Sequence, residues 1–177
     1  MIENENSSPG TRPGKRSFRA IAVYLLLVAT VTSATAQRAV ILIRHAEKAD
    51  TSKDPALSET GQTRARALAI LLARAGVTAV YASEYQRTKQ TAEPLAVALN
   101  LPVYSFPAAD PAGLSERLRT RHADDIVLVV GHSDTLPDLM KHLGHAVLET
   151  IEDDDFGSVF VLVSRGGQPP FVVRLRY

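Results

Sequence analysis

An α/β fold built on a mainly parallel sheet is what this sequence predicts, and three observations carry the expectation. From Gln37 onward, short β-branched apolar runs alternate with longer stretches of helical period, the pattern of successive βαβ units. The first run, Ala39 to Ile43, is continuously apolar instead of alternating, as strands covered on both faces are. The last two runs, Val159 to Val163 and Phe171 to Leu175, are separated by the turn-forming Arg165-Gly166-Gly167-Gln168, which predicts an antiparallel pair at one edge. Helices on both faces of such a sheet make a three-layer domain.

Taken in order, the first strand delivers Arg44 and His45 at its C-terminal end. A polar loop leads to Leu57-Ser58-Glu59-Thr60-Gly61 and then to a helix that sets Ala65, Leu68, Ala69, Leu72 and Ala75 on one face, with Gly76 as its C-cap. Thr78 to Ala82 is a second strand, placing Ser83, Glu84 and Arg87 at the same edge as His45. The helix from Arg87 to Leu99 contains Pro94, which predicts a kink or a broken turn. Val103 to Phe106 is the third strand, and after the Pro-rich loop around Asp110 a short helix runs from Pro111 to about Arg121. Ile126 to Val130 is a strand that ends in Gly131-His132-Ser133. Leu136 to Leu143 then reads as a helix, with Pro137 in the first turn, where proline is tolerated.

The segment before Gln37 stands apart. Arg12, Lys15, Arg16 and Arg19 form a positive region, Ala20 to Val31 an apolar core, and Ala34-Thr35-Ala36 a small-residue cleavage site. That order is the mark of a secretory signal, and the apolar core is short for a membrane span, which needs about 20 residues. Residues 1–36 are therefore read as an export signal to the periplasm or the exterior, or as an anchor if left uncleaved. Residues 37–177 are read as one domain. The membrane is an expected partner only in the uncleaved case.

Removing that segment takes four of the 20 basic and two of the 19 acidic residues, leaving 16 against 17 and a net charge of −1. Such a balance excludes the sustained positive surface by which proteins hold nucleic acids. With no cysteine in the chain, disulfides, thiolate metal sites and cysteine nucleophiles are excluded too.

Arg44, His45, Arg87 and His132 all follow strands, and ligands of open α/β sheets bind beyond the carboxyl ends of strands. Two guanidiniums and two imidazoles suit a phosphoryl group, whose oxygens a guanidinium grips with parallel N–H donors. A neutral imidazole is also a competent nucleophile near pH 7, its ordinary pKa being about 6.5.

Four elements in series extend this beyond a lone Arg-His pair. Arg44-His45-Ala46-Glu47 after an apolar strand resembles the R-H-G or R-H-A signature of the histidine phosphatase superfamily, in its phosphoglycerate-mutase-like branch. Leu57-Ser58-Glu59-Thr60-Gly61 is similar to the family's L-S/T-x-x-G element. Ala82 to Ala92 resembles S-x-x-x-R-x-x-Q-T-A, and Val130-Gly131-His132-Ser133 resembles V-x-G-H. Order, spacing and strand context agree over about residues 39 to 176.

The resemblance implies a phosphoglycerate-mutase-like fold and a phosphatase without metal or other cofactor. It implies His45 as phosphorylated nucleophile, Arg44 and Arg87 as clamps on phosphoryl oxygens, and His132 as a donor to the transition state. The backbone N–H of Ser133 is a further expected donor. For the general acid the family's usual place, after the third strand, is taken by Asp110; Glu47 is the rival and Glu84 the third choice. The implied substrates are phosphorylated small molecules, glycolipids or phosphoproteins. The alternative is a non-catalytic phosphate or phosphoprotein binder on the same fold.

Two further clusters have ordinary readings. His142 and His145 flank a helix end and read as cationic caps instead of metal ligands. Glu152-Asp153-Asp154-Asp155 lacks the spacing of a calcium loop and reads as a solvated acidic turn at the edge of the site.

Overall fold

The computed structural model describes Met1 and residues 38–177; the segment read as an export signal lies outside the described residues. Ten elements follow one another: β1 (Ala39–Arg44), α1 (Glu59–Leu72), β2 (Ala79–Ser83), α2 (Gln86–Leu99), β3 (Val103–Phe106), α3 (Pro111–Arg121), β4 (Ile126–Gly131), α4 (Thr135–His142), β5 (Ser158–Val163) and β6 (Phe171–Arg176). The strands form one sheet in the order β3-β2-β4-β1-β5-β6. β3, β2, β4 and β1 are parallel, whereas β5 runs antiparallel to both β1 and β6.

Strand alternation sorts the apolar side chains of β1 to two faces. Val40 and Leu42 join Leu114, Leu118, Leu136, Leu139 and Met140 from α3 and α4. Ile41 and Ile43 join Leu68, Leu72, Ala92, Leu95 and Ala96 from α1 and α2. The sheet is thus the middle of three layers, and β1 has no exposed side chain because both of its faces carry helices.

Local chemistry explains most boundaries. The hydroxyl of Ser58 caps α1 by accepting from Gly61 N–H at 3.1 Å, and a Cβ at position 61 would run into the carbonyl oxygen of Glu47. α1 ends at Leu72 with Ala73 as its cap, so Gly76 is not the C-cap that its position suggests. It is instead the left-handed residue, with φ +74°, of the turn that follows. α2 continues through Pro94, so of the kink or broken turn that this proline predicts, the broken turn is absent. The lost hydrogen bond and ring clash cost about 3 kcal/mol, and burial of the stripe formed by Thr88, Thr91, Ala92, Leu95 and Ala96 holds the turns on either side against the sheet.

The acidic run differs from expectation at one position. Glu152, Asp153 and Asp154 are exposed, but Asp155 is buried. Its carboxylate accepts from Ser158 Oγ at 2.6 Å and from Arg174 Nη2 at 2.8 Å, and it pairs with Arg176 at 3.2 Å. Asp155 therefore ties the loop to the edge strand β6, a role that needs the sheet to bring Arg174 and Arg176 alongside. His145 pairs with Glu149 at 3.1 Å, and no group of three metal-ligating side chains forms among the described residues. No helix among them is long and apolar enough to cross a membrane.

Candidate active site

The parallel register of β1 and β4 aligns Arg44 with Gly131, and His45 N–H donates to the Gly131 carbonyl at 2.9 Å. One residue further along each strand stand His45 and His132. Their rings lie 5.3 Å apart, centroid to centroid, in an edge-on arrangement, and both are buried. The sheet's topology has placed residues 87 positions apart in sequence side by side.

Nδ1 of His45 lies 2.7 Å from the carbonyl oxygen of Ala46. A carbonyl can only accept, so Nδ1 carries the proton and Nε2 keeps its lone pair. His45 is held in the tautomer a nucleophile needs. Behind His132, Nε2 meets Ser83 Oγ at 2.8 Å, and Ser83 Oγ meets Thr88 Oγ1 at 2.9 Å. Thr88 Oγ1 is in turn 2.8 Å from the Tyr85 carbonyl. Thr88 donates to that carbonyl, so Ser83 donates to Thr88 and accepts from His132 Nε2–H, which leaves Nδ1 of the neutral ring as an acceptor.

Arg44 and Arg87 complete the floor. Arg44 donates through Nη1 to the Glu152 carbonyl at 2.7 Å and lies over the Phe156 ring at 4.5 Å. Arg87 sits 4.3 Å from the Tyr85 ring centre, with Nη2 3.5 Å from His132 Nδ1. Nε of Arg44 and both Nε and Nη1 of Arg87 are buried with no hydrogen-bond partner. Buried donors are rarely left unpaired, and unpartnered guanidinium N–H groups are of the kind that grip an oxyanion.

The remaining motif residues hold this floor in place. Thr91 Oγ1 accepts from Ala46 N–H at 3.0 Å while donating to the Arg87 carbonyl at 2.7 Å, so one hydroxyl couples the loop after His45 to the helix that carries Arg87. Gln90 accepts from Leu57 N–H at 2.7 Å. Ser133 enters through its side chain, which donates to Asp153 Oδ1 at 3.1 Å. Tyr85, Phe156, Asp54 and Asp153 also border the site. Asp153 belongs to the acidic run expected at the edge of the site, whereas nothing in the local sequence singles out Tyr85, Phe156 or Asp54, each of which acts through a neighbour that only the fold supplies.

The three acid candidates have different surroundings. Asp110 is exposed and caps α3, accepting from Gly113 N–H at 2.8 Å. Glu47 accepts three hydrogen bonds from Arg64 at 2.7, 2.8 and 3.0 Å. Partial burial acts to raise its pKa, but those bonds outweigh it and hold the carboxyl below the usual range. Glu84 accepts from Ala108 N–H at 2.8 Å, and its charge is felt by His132.

Burial pushes both imidazoles down to about 4, and the charges of Arg44 and Arg87 act in the same direction. Both rings are thus neutral near pH 7. Unfolded histidines protonate near 6.5, so between about 6.5 and about 4 the unfolded chain binds protons that the folded chain refuses. Stability is then full above about 6.5 and is lost as pH falls through that window. We expect two histidine C–H resonances to titrate together with apparent midpoints near 4, as a coupled pair. The urea midpoint should fall in parallel. Midpoints near 6.5 for both would contradict the burial assigned to this pair.

Residues 40–109 match the model of the histidine phosphatase superfamily (branch 1). The structure resembles that of the protein histidine phosphatase SixA complexed with tungstate, with a TM-score of 0.65 and 22% identity over 78% of this chain and 96% of that one. A mycobacterial glucosyl-3-phosphoglycerate phosphatase in complex with VO3 is similar at TM-score 0.62 and 16% identity, covering 79% of this chain and 98% of that one. A mycobacterial hydrolase follows at TM-score 0.61 and 15% identity, over 77% and 96%. No curated protein matches the chain by sequence. At these identities the structural likeness establishes the phosphoglycerate-mutase-like fold.

Proposed function

We propose that this protein hydrolyses phosphomonoesters or phosphoramidates through a phosphohistidine on His45, its own cations serving where other phosphatases use metal. The observation that carries the reading is the set of three unpartnered guanidinium donors beside an imidazole whose tautomer leaves Nε2 free.

The phosphoryl group rests on Arg44 and Arg87. Nε2 of His45 attacks phosphorus, a P–N bond forms, and the bond to the leaving oxygen or nitrogen breaks. Negative charge on the equatorial oxygens is met by fixed donors in a dry site, the most effective form of such stabilisation. His132 is oriented by the Ser83-Thr88 chain and adds a donor once it is protonated beside the phosphoryl charge. Water then attacks phosphorus, the P–N bond breaks, and phosphate departs with His45 restored. Uncatalysed ester hydrolysis is slow enough that an enzyme must lower its barrier by roughly 20 kcal/mol, so nucleophile and clamps are needed together.

A proton must reach the leaving group of an ordinary ester. Glu47 is kept ionised by Arg64, and Asp110 and Glu84 each accept one backbone N–H; the charge of Glu84 acts on His132, which supports Glu84, the last of the three sequence candidates. The test is a leaving-group series in the presence of EDTA, with rapid quenching to trap labelled phosphoenzyme. We expect turnover with chelator and an acid-labile, base-stable adduct. Glu84→Gln should slow poor leaving groups about tenfold or more while sparing good ones, and Asp110→Asn should slow both alike. An Asp110 variant selective for poor leaving groups would return the acid to Asp110; absence of any adduct would remove the covalent route.

A further inference from the structure

This inference rests on the phosphatase reading and concerns what lies beyond the phosphorus atom. The floor of the site is cationic and buried; Arg44 is only 7% exposed and its Nε has no partner. The mouth has the opposite sign. Asp153 Oδ1 stands 3.5 Å from Arg44 Nη2 and is held by Ser133 Oγ at 3.1 Å, while its side chain is 95% exposed. On another segment, Asp54 Oδ1 stands 3.8 Å from Arg87 Nη1, its side chain 40% exposed, and it accepts from Gln86 N–H at 2.8 Å at the head of α2. Asp134 and Asp154 also act electrostatically on this floor. Lys53, next to Asp54 in the chain, is exposed and forms no ion pair among the described residues.

Carboxylates on separate segments therefore face solvent beside the buried guanidiniums of Arg44 and Arg87. A leaving group with a second phosphate or carboxylate would meet them unpaired. One with an ammonium or guanidinium would meet partners. Two or more charges at such distances in a partly wet mouth alter the affinity for a charged group by about tenfold or more.

We propose that the site selects phosphorylated substrates whose leaving group carries positive charge beside the phosphorus. Small phosphorylated amines and phosphorylated basic peptide segments share this chemistry. They differ in reach: the first places one charge at the mouth, and the second spans Asp54 and Asp153 together.

The experiment measures kcat/KM for phenyl phosphate, phosphoethanolamine, a glycerol bisphosphate, and one phosphoserine peptide flanked by either Lys and Arg or Glu. Each is run at about 0.01 M and about 1 M ionic strength, where the screening lengths are about 30 and 3 Å. We expect the basic peptide to exceed the acidic one by about tenfold or more at low salt, with the ratio shrinking at high salt. In the double variant Asp54→Asn and Asp153→Asn, the ratio should move toward one. A matching preference for phosphoethanolamine over the bisphosphate identifies small amines as substrates; its absence alongside the peptide preference identifies peptides. Turnover of phenyl phosphate with no preference for the basic peptide or the amine overturns this inference alone. Failure to turn over any substrate overturns it together with the phosphatase reading.

Discussion

Replacing His45, the proposed nucleophile, by Ala is expected to lower kcat/KM by about 10⁴-fold or more, because the loss of a covalent nucleophile is not compensated by the groups around it. The same substitution should leave binding of inorganic phosphate within about tenfold, since Arg44 and Arg87 keep their donors. Folding is not expected to fail. His45 contributes one hydrogen bond, to Ala46, and removing a ring that resists protonation should blunt the loss of stability at acid pH. Steady-state kinetics, phosphate titration and urea unfolding on the same preparation check all three. Turnover unaffected by the substitution would falsify the assignment of the nucleophile. Phosphate binding by the unsubstituted protein without turnover would identify a binder on the same fold.

Replacing Arg87 by Met is expected to act on binding and turnover together. Met keeps apolar contact with Tyr85 but removes Nε and Nη1, two of the three buried unpartnered donors. Loss of one fixed donor to a charged transition state typically costs about 10²–10³ in rate, so about 10³-fold in kcat/KM is expected here. Inorganic phosphate affinity should fall as well, in contrast to His45→Ala. That contrast separates a clamp, used in ground and transition states, from a nucleophile used only in the reaction. A drop in turnover with phosphate affinity intact would show that Arg87 does not hold the anion. Arg87 also approaches His132 Nδ1 and Asp54, so the His132 midpoint should rise in the variant once this cation is gone.

The elements of the fold were legible where local patterns are strong. Ala39 to Ile43 and Ile126 to Val130 are continuous apolar runs, and both are interior strands buried on both faces. Pro111 and Arg121 bound α3 as read from the sequence. The failures share a cause. Intrinsic preference puts Gly76 at the helix end and disfavours Pro94 within a helix, yet a turn after Leu72 displaces the first and burial of one face keeps α2 continuous through the second. Asp155 looked like its exposed neighbours because its partners Arg174 and Arg176 come from a strand about twenty residues away.

By itself the sequence determined which groups are available for chemistry: an Arg-His pair ending one interior strand, an Arg opening a helix, and a His ending another strand. Residue type and position relative to a strand end are local properties, so one chain of letters contains them. Only the tertiary structure decided what these groups are to one another. The β1–β4 register sets the imidazoles 5.3 Å apart, the Ala46 carbonyl selects the tautomer, and burial leaves the guanidinium donors unpaired and lowers both ring pKa values. Distance, desolvation and field depend on residues far apart in the chain, and they exist only once the sheet has brought those residues together.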